Sequence, residues 1–115
     1  MPSERRFTGI DNLYGTQGAS RIRAAHVVVV GVGGVGSWAV EALARSGVGR
    51  LTLVDMDHVA ESNINRQLPA LDSTQGMAKV RVLEERIGEI NAACVVDCIE
   101  DFVSRDNLEV LLPAE

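Results

Sequence analysis

The junction between an apolar run and a glycine-rich turn, His26-Val27-Val28-Val29-Val30-Gly31-Val32-Gly33-Gly34-Val35-Gly36-Ser37-Trp38, constrains this chain more than any other stretch. Consecutive valines suit a strand buried on both faces, because stiff β-branched side chains pack well on a pleated surface. Gly31, Gly33 and Gly36 follow in the G-x-G-x-x-G spacing, with Gly34 beside them. Such glycines let the chain turn tightly, bring its backbone close to a phosphate and pack a new helix hard against the strand. Free amides at that helix start, with the positive end of its dipole, hold an anion. Leu51-Thr52-Leu53-Val54-Asp55 reads as a second strand, ending in an acid nineteen residues after Gly36. An acid in that place commonly bonds a ribose hydroxyl. Strand, glycine turn, helix and terminal acid together predict nucleotide binding in an α/β fold.

At 115 residues, 46% hydrophobic and 23% charged, the chain has the composition of one globular domain. Its net charge of −5 supplies no overall basic field, which argues against sequence-independent nucleic-acid binding. No apolar run approaches the roughly 20 residues that span a bilayer. The start, Met1-Pro2-Ser3-Glu4-Arg5-Arg6, lacks the apolar core of a signal peptide. A cytoplasmic chain with no membrane contact is expected. Cys94 and Cys98 read as small core side chains, since a redox or metal pair wants C-x-x-C spacing or histidine company.

The chain divides into an arm with a short helix, 1–25, and a nucleotide-binding βαβαβ half-domain, 26–115. Residues 1–12 are polar and predicted extended or mobile, with a short helix over 16–23. Arg5, Arg6, Arg21 and Arg23 give this arm either a solvated basic face or a reach toward a phosphate. The glycine loop opens a helix over 35–46, with Val35, Ala39, Val40 and Leu43 on its apolar stripe, Trp38 packed in the core and Gly47 as a left-handed cap. Residues 56–76 are too long and too polar for a minimal connection. In them Asn63, Asn65, Arg66 and Gln67 group hydrogen-bonding side chains that a loop has no structural need for, which predicts ligand contact. A second helix is predicted over 77–90, burying Val80, Leu83, Ile87 and Ile90, with Asn91 as C-cap. Lys79 lies in its first turn, the wrong end of the dipole for a cation, so it either points into solvent or meets an anion. Asp57 is either solvated or turned toward metal or nucleotide, and His26 and His58 read as structural or exposed. A third strand over 94–99 and a short helix over 104–112, capped by Ser104 and stopped by Pro113, complete the pattern.

Taken together, Gly31-x-Gly33-Gly34-x-Gly36, Asp55-x-Asp57, Ser62-Asn63-x-Asn65-Arg66-Gln67 and Lys79 resemble the adenylation domain of the ubiquitin-activating-enzyme superfamily. Within it, Gly33-Gly34-Val35-Gly36-Ser37-Trp38 and Asn63-Ile64-Asn65-Arg66-Gln67 look most like the tRNA threonylcarbamoyladenosine dehydratase branch. Activators of molybdopterin or thiamine sulfur carriers usually read leucine after the double glycine. The resemblance runs from Arg6 to about Leu112. It implies a Rossmann-like parallel sheet with flanking helices, here the amino-terminal half of a larger doubly wound domain.

The resemblance also implies roles. The glycine loop lies against the phosphates of ATP, Asp55 bonds its ribose, and Asn63, Arg66 and Lys79 contact the triphosphate, with Asn65 and Gln67 in the same motif. Arg6 reaches across a homodimer to the neighbouring subunit's ATP. Mg²⁺ accompanies the phosphates, held partly by an aspartate after a fourth strand, beyond this chain's end. The reaction implied is ATP-dependent activation of the carboxylate of threonylcarbamoyladenosine in tRNA, then ring closure with AMP leaving. Other readings are a sulfur-carrier-protein adenylyltransferase, an NAD-dependent oxidoreductase fragment and a non-catalytic dimerisation module. Both crossover helices of a βαβαβ unit lie on one face, so the other needs a cover. Helices over 16–23 and 104–112 are candidates for part of it, and dimerisation or aggregation is expected.

Overall fold

The structure, a computed structural model, describes residues 5–101. Helix α1 (Thr8–Ala24) leads into β1 (His26–Val30), α2 (Gly34–Arg45) and β2 (Arg50–Val54). Two 3₁₀ turns (Glu61–Asn63 and Asp72–Thr74) lie in the long connection to α3 (Lys79–Ile90), and β3 (Val95–Ile99) follows. The strands form a parallel sheet in the order β1-β2-β3, with His26 opposite Arg50 and Arg50 opposite Val95. The expected α/β architecture is what forms.

In-register rows explain the core. Val27, Leu51 and Val96 make one row, and Val29, Leu53 and Cys98 the next. All six join one cluster with Val40 and Ala44 of α2 and Val80, Leu83 and Ile87 of α3. Both helices therefore cover the same face. Each fully buried leucine or isoleucine contributes roughly 1.5–3 kcal/mol. Asn91 fastens the far ends, its side-chain amide donating to the Val48 carbonyl at 3.1 Å. Gly47, at φ +91°, ends α2 as expected and lies against the buried ring of Phe7.

The opposite face is built differently. His26 and Thr52 share a 2.7 Å hydrogen bond, the Thr52 hydroxyl donates to Asp97 at 3.2 Å, and the Arg50 Nε donates to the same carboxylate oxygen at 2.9 Å. This polar row crosses all three strands and gives His26 its structural role. Val30 and Val95 stand largely exposed at its margins.

Several expectations need correction. Residues 8–12 are helical rather than extended, because Phe7 is buried and its carbonyl accepts from the Ile10 and Asp11 amides. Gly15, at φ 77°, kinks α1 between its two halves. Ile22 of α1 packs into the helix-side cluster. Val35, 88% exposed, and Ala39 stand outside the buried stripe of α2, which is Ser37, Val40 and Ala44. Helix α3 begins at Lys79, since Ala78 still bridges to His58. The predicted helix over 104–112 lies outside the described residues. Among those described, no helix is long and apolar enough to cross a membrane.

Candidate functional site

The site forms where the strands end and the helices begin. Gly31 leaves β1 at φ +82°, and its amide still donates to the Val54 carbonyl at 2.8 Å. A Cβ on Gly36 would stand 1.8 Å from the Gly31 carbonyl oxygen, so only glycine lets the turn pass this close to the helix. At Gly34 a Cβ would meet nothing within 4 Å. There is thus open space beside Gly34 at the start of α2, and helix geometry leaves the first-turn amides without intrahelical partners, as an anion requires.

Asp55 couples this loop to the next. One carboxylate oxygen accepts from the Val32 amide at 2.9 Å and the other from the Asp57 amide at 2.7 Å. Each oxygen keeps lone-pair capacity for a further donor such as a ribose hydroxyl. Asp55 lines a cavity of about 260 Å³ with Gly31, Asp57 and Asp101. Lys79 lies next to it, buried although cationic, its ammonium 3.9 Å from the Asp57 carboxylate and its backbone amide donating to the Asp57 carbonyl at 3.1 Å. Of the two orientations open to it, Lys79 takes the inward one.

The segment 61–68 is tied down against the glycine loop. The Ser37 hydroxyl donates to the Gly34 carbonyl at 2.9 Å and accepts from the Leu68 amide at 3.3 Å. The Trp38 indole N–H donates to the Arg66 carbonyl at 3.1 Å. Trp38 is thus a half-exposed surface residue rather than core, because its one polar atom faces the loop. Asn63 caps the turn, accepting from the Ala60 amide at 2.9 Å. Arg66 is exposed and donates to the Ser62 carbonyl at 3.0 Å and the Asn65 side-chain oxygen at 2.8 Å. Among the described residues no carboxylate pairs with it. Gln67 is buried against Gly33, and its Oε1 has no hydrogen-bond partner. Buried polar atoms are rarely left so.

The structure thus gathers Gly31, Gly33, Gly34, Gly36, Asp55, Asp57, Asn63, Asn65, Arg66, Gln67 and Lys79 at one end of the sheet. Arg6 stands apart. It donates to the Ile90 and Glu89 carbonyls at 3.0 and 3.4 Å, a favourable place for a cation at a helix carboxyl end. A larger cavity, about 490 Å³, lies there between Arg6, Phe7, Arg45, Arg86, Glu89 and Ile90, at the amino ends of the strands and away from the glycine loop. Arg23 pairs with Asp11. Both cysteines are free; burial pushes the Cys98 thiol up to about 11, so it offers no thiolate near neutrality. Among the described residues no group of three His, Cys, Asp or Glu side chains is placed to hold a metal.

Sequence reasoning missed Ser37 and Asp101. Ser37 follows the last loop glycine directly, where a small polar residue can face the next segment. Asp101 stands just beyond a strand end, the same signal that identified Asp55.

The ThiF family model matches residues 6–114. The chain is 55% identical over 104 residues to the tRNA threonylcarbamoyladenosine dehydratase of Haemophilus influenzae, covering 90% of this chain and 40% of that protein. It is 36% identical over 94 residues to an adenylyltransferase and sulfurtransferase of Drosophila willistoni, covering 82% of this chain and 21% of that one. Among solved structures, the tRNA N6-threonylcarbamoyladenosine dehydratase of Escherichia coli in complex with ATP superposes with a TM-score of 0.90 at 50% identity, over 91% of this chain and 43% of that one. The same enzyme has been solved with AMP. The chain therefore spans about two fifths of the length of the dehydratases it matches.

Proposed function

Since the chain belongs to the ThiF family, we propose that it is the ATP-binding portion of a tRNA threonylcarbamoyladenosine dehydratase. The observation that carries this reading is the gathering of polar groups at the glycine loop: the helix start at Gly34 with open space beside it, the Gln67 oxygen without a donor, the carboxylate-free Arg66 and the buried Lys79 beside Asp57. Higher identity to the dehydratase than to the sulfurtransferase relative favours tRNA over a carrier protein.

In this proposal the loop amides, Arg66 and Lys79 hold the triphosphate and Asp55 receives the ribose. The substrate carboxylate attacks the α-phosphorus and pyrophosphate leaves; ring closure then expels AMP. Negative charge grows on phosphate oxygens during adenylation, and fixed cations in a dry site stabilise it. Lys79 suits this because its ammonium is already desolvated. Asn63 and Asn65 position the Arg66 segment. Mg²⁺ fits as a companion of the phosphates, since it is commonly bound by one or two carboxylates plus substrate oxygens. Asp57, two-thirds exposed, and Asp101 face the same cavity. When bound, the ion neutralises phosphate charge. Arg6, remote from its own chain's loop, serves the site of a second copy in a homodimer. The tRNA-modifying relatives support a cytoplasmic setting.

Calorimetric titration with ATP and with NAD, each with Mg²⁺, tests the reading. Selective ATP binding that weakens in Arg66→Ala is expected. NAD binding that ignores the substitution would overturn it in favour of an oxidoreductase.

A further inference from the structure

Resting on that reading, we infer that Ser37 and Trp38 are positioning residues for Arg66, coupling the glycine loop to the arginine that shares its ligand. Three consecutive residues of the long connection are seated on the start of α2. The Trp38 indole N–H donates to the Arg66 carbonyl at 3.1 Å, and the Leu68 amide donates to the Ser37 hydroxyl at 3.3 Å. Between them the Gln67 side-chain amide packs on Gly33, 3.3 Å from where a Cβ would stand. Ser37 is fully buried. Its hydroxyl donates to the Gly34 carbonyl at 2.9 Å and its backbone amide to the Gly33 carbonyl at 3.0 Å. One side chain therefore touches both halves of the site.

The ties carry through to the charged group. Arg66 Nη1 donates to the Ser62 carbonyl at 3.0 Å and to the Asn65 side-chain oxygen at 2.8 Å, and Asn63 closes the same turn on the Ala60 amide. The guanidinium is thus fixed to its own turn, and that turn is fixed to α2 at residues 66 and 68. A ligand that meets the first-turn amides of α2 and the guanidinium together needs their separation held, because a misplacement of about 1 Å can cost roughly a hundredfold in rate. The Leu68 side chain packs against the core cluster, so the segment keeps an apolar anchor when either polar tie is cut. Holding the fold and aiming Arg66 are therefore separable.

A double-mutant cycle separates them. ATP affinity in the presence of Mg²⁺ is measured by calorimetry for the wild type, Ser37→Ala, Trp38→Phe, Arg66→Ala and each of the first two combined with Arg66→Ala, and Tm is recorded without nucleotide. Ser37→Ala should weaken ATP binding roughly tenfold and Trp38→Phe, which keeps a ring and loses the N–H, roughly threefold. In the Arg66→Ala background each should weaken it by less than about twofold, while the Tm changes are the same in both backgrounds. Losses of affinity that repeat in full without Arg66 would show that the two residues act on the fold or on the loop amides, and would overturn the inference. So would unchanged affinity in both single variants, or in Arg66→Ala itself. If Ser37→Ala does not fold, Trp38→Phe, at a half-exposed position, decides by the same criteria. A wild type that binds no ATP sinks the proposed function and this inference with it, whereas wild-type binding with uncoupled losses confines the failure to the positioning.

Discussion

The two ends of the parallel sheet differ in how their polar groups are matched. Toward the amino ends most charge is matched: Arg86 grips Glu41 through two nitrogens at 2.6 and 3.0 Å, Arg45 adds a third contact, the Asn91 amide finds the Val48 carbonyl, and the buried Asp11 Oδ1, without a hydrogen bond, has the Arg23 guanidinium 3.6 Å away. At the carboxyl ends Gln67 has a buried oxygen without a donor, and Lys79 is buried with its nearest carboxylate 3.9 Å away. Leaving a buried polar group unpaired costs roughly 1–3 kcal/mol. An end that carries such costs is organised for a ligand that completes it, whereas the matched end serves stability.

The largest expected effect is at the tightest point of the unmatched end. Gly36→Ala places a methyl group against the Gly31 carbonyl, and overpacking against backbone is expected to cost about 3 kcal/mol. Urea unfolding would read this, and ATP binding should vanish with it. Stability close to wild type would show that the loop is not constrained as described.

At the matched end, Glu41→Ala removes the partner of two partly exposed arginines. Their exposure limits the loss to about 1 kcal/mol, and calorimetry should find ATP affinity within twofold of wild type. A large drop in affinity would erase the distinction between the ends. The same pairing fixes the acid limb. Hydrogen bonds from Arg86 hold the Glu41 carboxyl below its usual range, and Arg50 does the same for Asp97. A depressed carboxylate contributes stability above its unfolded value and loses it as pH falls through the folded one. Stability should therefore be flat near neutrality and decline below about pH 4.5, and Glu41→Gln should flatten that decline. A decline that begins above pH 6 would contradict this origin.

The smallest change in stability is expected at Gly34→Ala, where a methyl group meets nothing and the helix gains a better former, worth less than about 1 kcal/mol. ATP affinity should still fall, because the methyl enters the space assigned to phosphate. Unchanged affinity would show that the phosphates lie elsewhere.

Period and turn chemistry made most of the fold legible. The valine run, the three loop glycines and Asp55 located the crossover and its strand ends, since those residues act on the backbone nearest them. The grouping of Asn63, Arg66 and Gln67 stood out in the sequence as polar chemistry for a ligand, and the structure shows that part of it serves the loop itself, with Asn63 capping the turn. Tertiary contacts were not legible. Nothing local says that Phe7 will anchor residues 8–12 as helix, or that Trp38 will turn its N–H to a carbonyl 28 residues away. Lys79 was ambiguous for the same reason: its burial depends on how the connection folds back over α3. Family resemblance assigns Arg6 to a neighbouring subunit's ATP, and within its own chain the structure puts it on the carboxyl end of α3, far from the loop.

The central claim is that the unmatched end is completed by ATP, and thermal unfolding of the wild type, Arg66→Ala and Glu41→Ala with and without Mg-ATP tests it most directly. At a hundredfold excess over Kd, ATP should stabilise the wild type by about 2.7 kcal/mol, a rise of roughly 10 °C in Tm for a domain of this size. Glu41→Ala should start lower and rise by the same amount, while Arg66→Ala should start near wild type and rise much less. An equal rise in Arg66→Ala, or a rise lost in Glu41→Ala, would contradict the account.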